Sequence, residues 1–166
     1  MMSNVTDREM MSRALKLAAK GRFTSSPNPT VGCVITVDGK VVGEGFTRPV
    51  GGNHAEIEAL QSAGDVTGAT AYVTLEPCCH QGKTGPCTDA LIAAGVVRVV
   101  VACEDPNPKV AGLGLAALLA AGIDVQSGLL EDQARNINKG FIKRHEQGTP
   151  WVLVKMAASL DGRTAM

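Results

Sequence analysis

Apolar positions recur along the chain with two different periods, and each period predicts one type of secondary structure. Met11, Leu15 and Ala18 are spaced as on one face of a helix. Helices are predicted over residues 7–21, 54–64, 87–95, 110–121 and 130–146. Shorter apolar runs are typical of strands, which are predicted over residues 31–37, 40–46, 70–75, 96–102 and 123–126. Helices and strands therefore alternate over most of the chain.

Turn signals and run lengths indicate how the strands are arranged. Asp38-Gly39 lies between the first two strands and is a strong signal for a tight hairpin, so these strands are expected to be antiparallel. The runs at 70–75 and 96–102 are apolar enough to be buried on both faces, as in parallel sheets. The two prolines of residues 25–30 predict a loop. The sequence thus predicts a three-layer α/β domain with a mixed sheet.

The last segment, residues 150–166, differs from the rest of the chain. Its sequence PWVLVKMAASLDGRTAM predicts a fresh strand followed by a turn. Residues 151–154 would form an apolar strand with no sheet of their own. We expect them to be disordered, to lie on the domain surface, or to pair with another chain as an exposed edge.

Composition narrows the class of protein. Hydrophobic residues make up 45% of the chain, and 16 basic residues balance 16 acidic ones. Aromatic residues make up only 3%, whereas proteins that bind long nucleic acids show basic excess and stacking aromatics. The amino terminus lacks the apolar core of a signal peptide, and no stretch approaches the roughly 18 apolar residues of a membrane span. We therefore expect a cytoplasmic protein with a small-molecule substrate and no membrane or nucleic-acid partner.

The most unusual stretch is residues 76–87, EPCCHQGKTGPC, which holds three of the five cysteines and one of the three histidines. In a reducing compartment, clustered cysteines are more often metal ligands or catalytic groups than disulfides. Cys78, Cys79, His80 and Cys87 could together form a closed structural zinc site. The loop follows a predicted strand, and Cys87 opens a predicted helix, which is where open α/β sheets bind ligands.

A second motif lies upstream, where His54 and Glu56 begin a predicted helix. Zinc-dependent nucleobase deaminases carry H-x-E followed by P-C-x-x-C. Here His54-Ala55-Glu56 and Pro77-Cys78 match, but the second cysteine of the pattern, Cys87, follows nine positions later and repeats the Pro-Cys pair. The alternative for Glu56 is a helix-capping pair with Asn53. The combination of both motifs favours a catalytic Glu56.

Together these motifs resemble the deaminase domain of the bifunctional riboflavin-biosynthesis deaminase/reductase family, within the cytidine-deaminase-like superfamily. The resemblance covers nearly the whole chain and rests on PNPTVGCVI, HAEIEAL, ATAYVTLEPCCHQGKTGPC, DPNPKVAG and NKGFIKR. The long cysteine loop is its most specific element, because cytidine and tRNA deaminases have a shorter one. It implies a three-layer α/β/α cytidine-deaminase-like fold. Residues 1–148 would be the deaminase domain and 149–166 the start of a truncated reductase domain.

The resemblance also implies a function. His54, Cys78 and Cys87 would bind one Zn²⁺ per chain, and Glu56 would shuttle protons. The reaction would be hydrolysis of the 2-amino group of 2,5-diamino-6-ribosylamino-4(3H)-pyrimidinone 5′-phosphate, which gives the 5-amino-6-ribosylaminouracil phosphate and ammonia. Substrate-binding residues of the family match Asn28, His80, Lys83, Asp105 and Asn107. NADPH would serve only the missing reductase domain, which normally belongs to the same chain; the resemblance is also compatible with a homo-oligomer.

The chain departs from the family at three positions. The family usually has Ser at the position of Cys79, Pro at that of Gly85, and His at that of Thr47, where Arg48 is a candidate for replacing the lost substrate contact. Cys79 is therefore interpreted as a loop residue that is not a ligand.

Structural interpretations stand beside the functional ones for several residues. Lys83 would otherwise be an ordinary loop lysine, and Asp105 and Asn107 would be turn formers. Cys33 and Cys103 are expected to be buried and inert, and His145 solvated. Two rival functions remain open: deamination of another base (guanine, cytidine or tRNA adenosine) and a non-catalytic zinc module.

Overall fold

The computed structural model describes residues 3–81 and 85–164. Its helices are α1 Ser3–Lys20, α2 Ala55–Ser62, α3 Cys87–Ala93, α4 Leu113–Ala120, α5 Glu131–Ile137 and α6 Lys139–Gln147. Its strands are β1 Gly32–Val37, β2 Lys40–Phe46, β3 Thr70–Val73, β4 Arg98–Val101 and β5 Asp124–Ser127. No helix in these two ranges has the length and apolarity needed to cross a membrane.

The strands form one mixed sheet in the order β2-β1-β3-β4-β5. β1 is antiparallel to both of its neighbours, whereas β3, β4 and β5 are mutually parallel. The predicted hairpin between β1 and β2 is confirmed, and its turn residues Asp38 and Gly39 both have positive φ, at 48° and 74°. The predicted mixed sheet is therefore confirmed as well.

Helices cover both faces of the sheet. Gly32 faces α1, while Gly45, the register partner of the next residue Cys33, faces α2. Because successive strand residues point to opposite faces, α1 and α2 lie on opposite sides. α5 contacts α1, and α3 contacts both α2 and α4, which completes three layers. The two apolar interfaces form one continuous core.

The amino-terminal end of α2 sits unusually close to the sheet. A Cβ atom at Gly45 would overlap the carbonyl oxygen of Ala55 and crowd the backbone nitrogen of Ala59. Only glycine permits this approach of a helix backbone to a strand. The approach places the residues just before and after Ala55 directly against the end of β2.

Three of the predicted helices are wrong in their extent, and the first of them, predicted from residue 7, begins at Ser3. The helix predicted from residue 110 begins at Leu113, because Ala111 and Gly112 have positive φ values of 22° and 83° that interrupt helical geometry. The helix predicted over 130–146 is broken at Asn138, whose backbone has φ −105° and ψ 24°. The side chain of Asn138 instead bonds both backbone groups of Thr30, at 2.8 and 2.9 Å.

The strand predicted at residues 151–154 is also wrong. These residues form no ladder with β2 or β5, the edge strands of the described sheet, and 49–81% of their surface is exposed. The ring of Trp151 lies 5.3 Å from the ammonium of Lys139 and 5.7 Å from that of Lys143. The segment therefore lies on the domain surface, held at one end by cation–π contacts with α6.

A partly buried ion pair ties α1 to the sheet where β4 begins. The carboxylate of Asp7 accepts two hydrogen bonds from Arg98, at 2.8 and 3.0 Å, and one from the hydroxyl of Tyr72 at 2.7 Å. The Arg98 hydrogen bonds hold the pKa of Asp7 below its ordinary value of 3.8. Since the folded-state pKa is depressed, this pair stabilises the fold above pH 3.8, and the stabilisation is lost as the pH falls towards the folded-state pKa.

We expect Asp7→Asn to lower the free energy of unfolding by about 1.5–3 kcal/mol, since a charged partner of two hydrogen bonds is lost. Urea denaturation at several pH values measures this. The difference between wild type and variant should be largest near neutrality and shrink below pH 3.8. Glu9→Gln, an exposed carboxylate on the same helix, serves as the control and should change stability by less than about 0.5 kcal/mol. A pH-independent difference would contradict this account.

Candidate active site

The candidate site lies at the end of the sheet where the inner strands β3 and β4 terminate and the antiparallel β1 begins. A cavity of about 340 Å³ opens there. Open α/β sheets bind ligands at the carboxyl ends of their parallel strands, so a binding site is expected at this end of the sheet. Residues from the loop before β1, the start of α2, and the loops after β3 and β4 line the cavity.

His54 and Glu56 enter the cavity from the start of α2. His54 is the residue that caps α2, with extended backbone at φ −74° and ψ 162°. Glu56 is only 3% exposed and lines the cavity. The capping pair of Asn53 with Glu56 is wrong, because no side chain caps α2 and the amide of Asn53 donates to Glu58 at 2.9 Å. The carboxylate of Glu56 is therefore free of a capping role.

Cys78 and Cys87 come from opposite ends of the long loop between β3 and α3. The backbone N–H of Cys87 donates to the sulfur of Cys78 at 3.4 Å, and that of Thr88 donates to the carbonyl of Cys78 at 3.2 Å. The first turn of α3 thus folds onto Cys78. This contact closes the ends of the loop, so the unusually long spacing between the cysteines does not separate them.

The three donor groups meet at one point. Nδ1 of His54 lies 3.5 Å from Sγ of Cys78 and 3.4 Å from Sγ of Cys87, and all three atoms lie within 4.8 Å of one another. Tetrahedral zinc, with Zn–S of about 2.3 Å and Zn–N of about 2.0–2.1 Å, places sulfur and nitrogen about 3.6 Å apart. The observed separations fit that geometry. Three protein donors also leave the fourth position that a catalytic zinc needs.

The two thiols differ in acidity. The hydrogen bond from Cys87, together with His54, lowers the pKa of Cys78 to about 4 against the opposing effect of burial. The pKa of Cys87 is raised, because it donates to Cys78 and is buried. The hydrogen bond with Cys78 also raises the pKa of His54. The two sulfur atoms thus share a hydrogen-bonded proton, and a divalent cation can take the place of that proton.

Burial has the largest effect on the pKa of Glu56. It raises the pKa of the carboxyl group from 4.5 to about 7, with a smaller opposing contribution from a backbone hydrogen bond. A group that titrates near neutral pH can both accept and return a proton, which is what a general acid/base requires. Glu56 also lies close enough to the cluster for Cys78 and His54 to affect its pKa. The site therefore places a buried carboxyl group that titrates near neutral pH beside a candidate metal-binding cluster.

The closed four-ligand site predicted as an alternative does not form. Among the described residues, the donors that assemble are His54, Cys78 and Cys87, without Cys79 or His80. Cys79 is half-buried beside them, and His80 is exposed on the cavity wall. The interpretation of Cys79 as a loop residue outside the cluster agrees with this geometry.

Four of the five predicted substrate contacts line the cavity, namely Asn28, His80, Asp105 and Asn107. Lys83 lies outside the described residues. Asp105 and Asn107 also form a turn, because the carboxylate of Asp105 accepts the N–H of Asn107 at 2.8 Å. Turn formation and cavity lining are thus compatible at these two residues.

Thr47 occupies the position at which the family usually has a histidine. Its buried hydroxyl accepts the N–H of Val31 at 2.9 Å, which ties the end of β2 to the start of β1. Arg48 does not replace the missing contact: it pairs with Glu58 at 2.6 Å and lies over the ring of Phe46 at 4.7 Å. The cavity wall at Thr47 is therefore neutral.

Three further outcomes concern residues that were predicted neither as metal ligands nor as substrate contacts. Cys33 and Cys103 are buried, as expected. His145 is partly exposed, and its ring also packs at 4.6 Å on Phe141, which lines the cavity. Sequence reasoning also missed Glu76, a buried residue of the cavity wall. Its one signal was a charged residue directly after an apolar strand.

This fold and site define a class of protein. A histidine and two cysteines that converge at the end of an α/β sheet, with a glutamate beside them that is not a ligand, is the arrangement of the zinc-dependent nucleobase deaminases. Residues 4–103 match the family described as cytidine and deoxycytidylate deaminase zinc-binding region.

Comparison with individual proteins narrows the class. The chain is 60% identical over 161 residues to the riboflavin biosynthesis protein RibD of Escherichia coli, covering 96% of this chain and 44% of that protein. It is 52% identical over 145 residues to the diaminohydroxyphosphoribosylamino-pyrimidine deaminase of Buchnera aphidicola (subspecies Schizaphis graminum), covering 87% of this chain and 99% of that one. A solved structure of Acinetobacter baumannii RibD superposes with a TM-score of 0.92 at 53% identity, covering 97% of this chain and 46% of that one.

The chain belongs to the cytidine and deoxycytidylate deaminase family and, within it, to the diaminohydroxyphosphoribosylaminopyrimidine deaminases. The predicted cytidine-deaminase-like fold is thereby confirmed. The chain spans somewhat less than half the length of the RibD proteins, at 44% and 46%.

We expect the purified protein to carry about one zinc ion per chain, as a site with three protein donors allows. Plasma mass spectrometry after dialysis measures this. His54→Ala and Cys87→Ser should lose the metal, because two remaining donors bind it poorly. Cys79→Ser is the matched control, since it removes a neighbouring thiol that lies outside the cluster, and it should retain zinc. Loss of zinc in Cys79→Ser with retention in His54→Ala would show that the ligands are misassigned.

Proposed function

We propose that this chain catalyses the zinc-dependent hydrolytic deamination of 2,5-diamino-6-ribosylamino-4(3H)-pyrimidinone 5′-phosphate. The observation that carries the proposal is the buried carboxylate of Glu56 beside the His54, Cys78 and Cys87 cluster, inside a cavity open to solvent. The name of the Buchnera relative, which aligns over 99% of its own length, supports the choice of substrate. The alignment includes the whole cysteine loop.

The roles of the residues follow from their positions. Zinc held by the cluster would supply a water molecule whose pKa is lowered from 15.7 to about 7. Glu56 lines the cavity and would accept a proton from the attacking water as a C–O bond forms at the ring carbon that carries the 2-amino group. Glu56 then returns the proton to the amino nitrogen, the C–N bond breaks, and ammonia leaves. A carboxyl group with a pKa of about 7 serves both steps.

The cavity walls would bind the substrate. Asn28 offers both a donor and an acceptor, which matches the mixed edge of a pyrimidine. Asp105 and Asn107 lie on the wall formed by the loop after β4. There they can accept hydrogen bonds from amino and hydroxyl groups of the substrate, and the amide of Asn107 can also donate one. His80 and Lys83 belong to the cysteine loop, and we assign them to the ribosyl phosphate on the family resemblance.

The two rival functions make different demands on this site. A non-catalytic zinc module has no use for a buried carboxylate beside a three-donor cluster, and such a carboxylate costs free energy to bury. Deamination of guanine, cytidine or tRNA adenosine would use the same cluster, so a substrate panel has to distinguish these activities.

We further propose that residues 149–166 begin a second, reductase domain in longer relatives of this chain. The RibD proteins extend well beyond the aligned region, which makes up 44–46% of their length. The exposed apolar residues of this segment, from Trp151 to Leu160, are those expected of a chain that continues into a further core. NADPH would serve that domain alone.

The central experiment is an ammonia-release assay. We expect about one ammonia per molecule of the diaminopyrimidine phosphate, since hydrolysis removes one amino group. The dephosphorylated nucleoside should react more slowly, because it lacks the charge assigned to Lys83. NADPH should not be oxidised by the 166-residue chain. Faster release from cytidine, guanine or tRNA adenosine would replace the proposed substrate, and NADPH oxidation would overturn the division between domains.

We expect Glu56→Gln to retain zinc and lose activity by at least about 10²-fold, because the amide cannot accept a proton. Glu58→Gln makes the same chemical change two residues along α2, where the carboxylate pairs with Arg48 outside the cavity, and should remain active. Steady-state kinetics and metal analysis of both variants provide the measurement. Full activity in Glu56→Gln would exclude the acid/base role.

A further inference from the structure

Glu76 makes an unusual set of hydrogen bonds for a buried carboxylate. One oxygen accepts the backbone N–H groups of Asp105 and Gly112, at 3.1 and 3.0 Å. The other accepts those of Gly114 and Leu115, at 2.8 and 3.1 Å. The residue is 4% exposed. Four donors saturate both oxygens, and no ion pair to this carboxylate occurs among the described residues.

Three of these donors belong to the beginning of α4. The first N–H groups of a helix have no partner within it, and α4 has no side-chain cap of its own. Glu76, from the end of β3, supplies the missing acceptors and a negative charge where the helix dipole favours one. Gly114 permits the approach, because a Cβ there would overlap the carbonyl oxygen of Pro77.

The fourth donor, Asp105, extends this clamp to the cavity wall. Asp105 accepts the N–H of Asn107, and the carbonyl of Asn107 accepts that of Val110 at 2.8 Å. The segment from 105 to 115 is thus a chain of local turns whose two ends are held by one carboxylate. Asp105, Asn107 and Val110 all line the cavity.

We infer that Glu76 is a positioning residue: it fixes the segment 105–115 against the end of β3 and thereby sets Asp105 and Asn107 for substrate binding. Glu76 stands two residues before Cys78, so the same stretch of backbone carries a metal-binding residue and the anchor of the opposite wall. The distance between metal and wall is fixed by this short, shared segment. The substrate role of the wall rests on the proposed function.

The test replaces Glu76 by glutamine, which has the same shape but only one acceptor oxygen. In either orientation its NH₂ group faces two backbone N–H groups, which then lack an acceptor. We expect hydrogen exchange at the amides of Asp105, Gly112, Gly114 and Leu115 to accelerate about 10- to 100-fold. Exchange in β4 and zinc content should change little. NMR measures the exchange without any substrate.

Kinetics supply the second readout. In Glu76→Gln, KM for the diaminopyrimidine phosphate should rise about 10-fold or more while kcat falls much less, because substrate contacts are displaced and Glu56 is not. Glu104→Gln makes the same change at an exposed residue directly before this segment and should alter neither exchange nor KM. Asp7→Asn destabilises the fold at the opposite end of β4 and should leave KM unchanged. This variant therefore separates an effect of Glu76 on the cavity wall from an effect on overall stability.

The outcomes distinguish this inference from the proposed function. Unchanged exchange at the four amides in Glu76→Gln would overturn the clamp, and faster exchange with unchanged KM would overturn its positioning role. If wild type releases no ammonia from the diaminopyrimidine phosphate but does so from another base, the proposed substrate fails and KM is measured on that base. If Glu76→Gln does not fold, Glu76→Asp retains the charge but withdraws the oxygens, and we expect the same changes to be smaller.

Discussion

The site depends on bringing one imidazole and two thiols from three separate elements to a single point. His54 precedes α2, Cys78 follows β3, and Cys87 opens α3, yet Nδ1 of His54 lies 3.4–3.5 Å from each of the two sulfur atoms. Such distances hold only if both helices are seated accurately on the sheet. The glycine at position 45 permits this for α2, and because His54 and Glu56 share the same helix end, one contact positions both the imidazole of the cluster and the buried carboxyl group.

The charges of the donor groups, like the distances between them, favour a bound cation. Two thiols and a carboxyl group crowd into a buried region, where three negative charges cannot coexist without a cation. The pKa of Cys78 is lowered, that of Cys87 is raised, and burial raises the pKa of Glu56 to about 7, so the three groups do not ionise together. A divalent cation neutralises two thiolates and leaves the carboxyl group free for proton transfer. The donor set and the ion are therefore complementary in charge as well as in distance.

Sequence patterns predicted the parts of the molecule that depend on local spacing. The Asp38-Gly39 hairpin and the order of helices and strands follow from residue periods and turn chemistry within a few positions. The metal-binding cluster was predictable because H-A-E and the Pro-Cys pairs, taken together, match the ligand pattern of one class of enzyme. The helix boundaries near 112 and 138 were not, since the side chains of Glu76 and Asn138 accept hydrogen bonds there from backbone N–H groups of distant segments. The strand predicted at residues 151–154 does not form, because an apolar run becomes a strand only where a neighbouring strand is available to pair with it.

The two residues that escaped prediction have a common physical role. The cavity walls are loops, so their backbone groups cannot be satisfied by a helix or a sheet ladder, and burial without partners would be costly. Asn138 bonds both backbone groups of Thr30 beside the wall that carries Asn28, just as Glu76 bonds four in the wall that carries Asp105. Each is a polar side chain placed in the interior to stand in for secondary structure. Buried polar groups at a loop-built cavity therefore act first on the backbone they satisfy, and through it they determine where the exposed binding groups point.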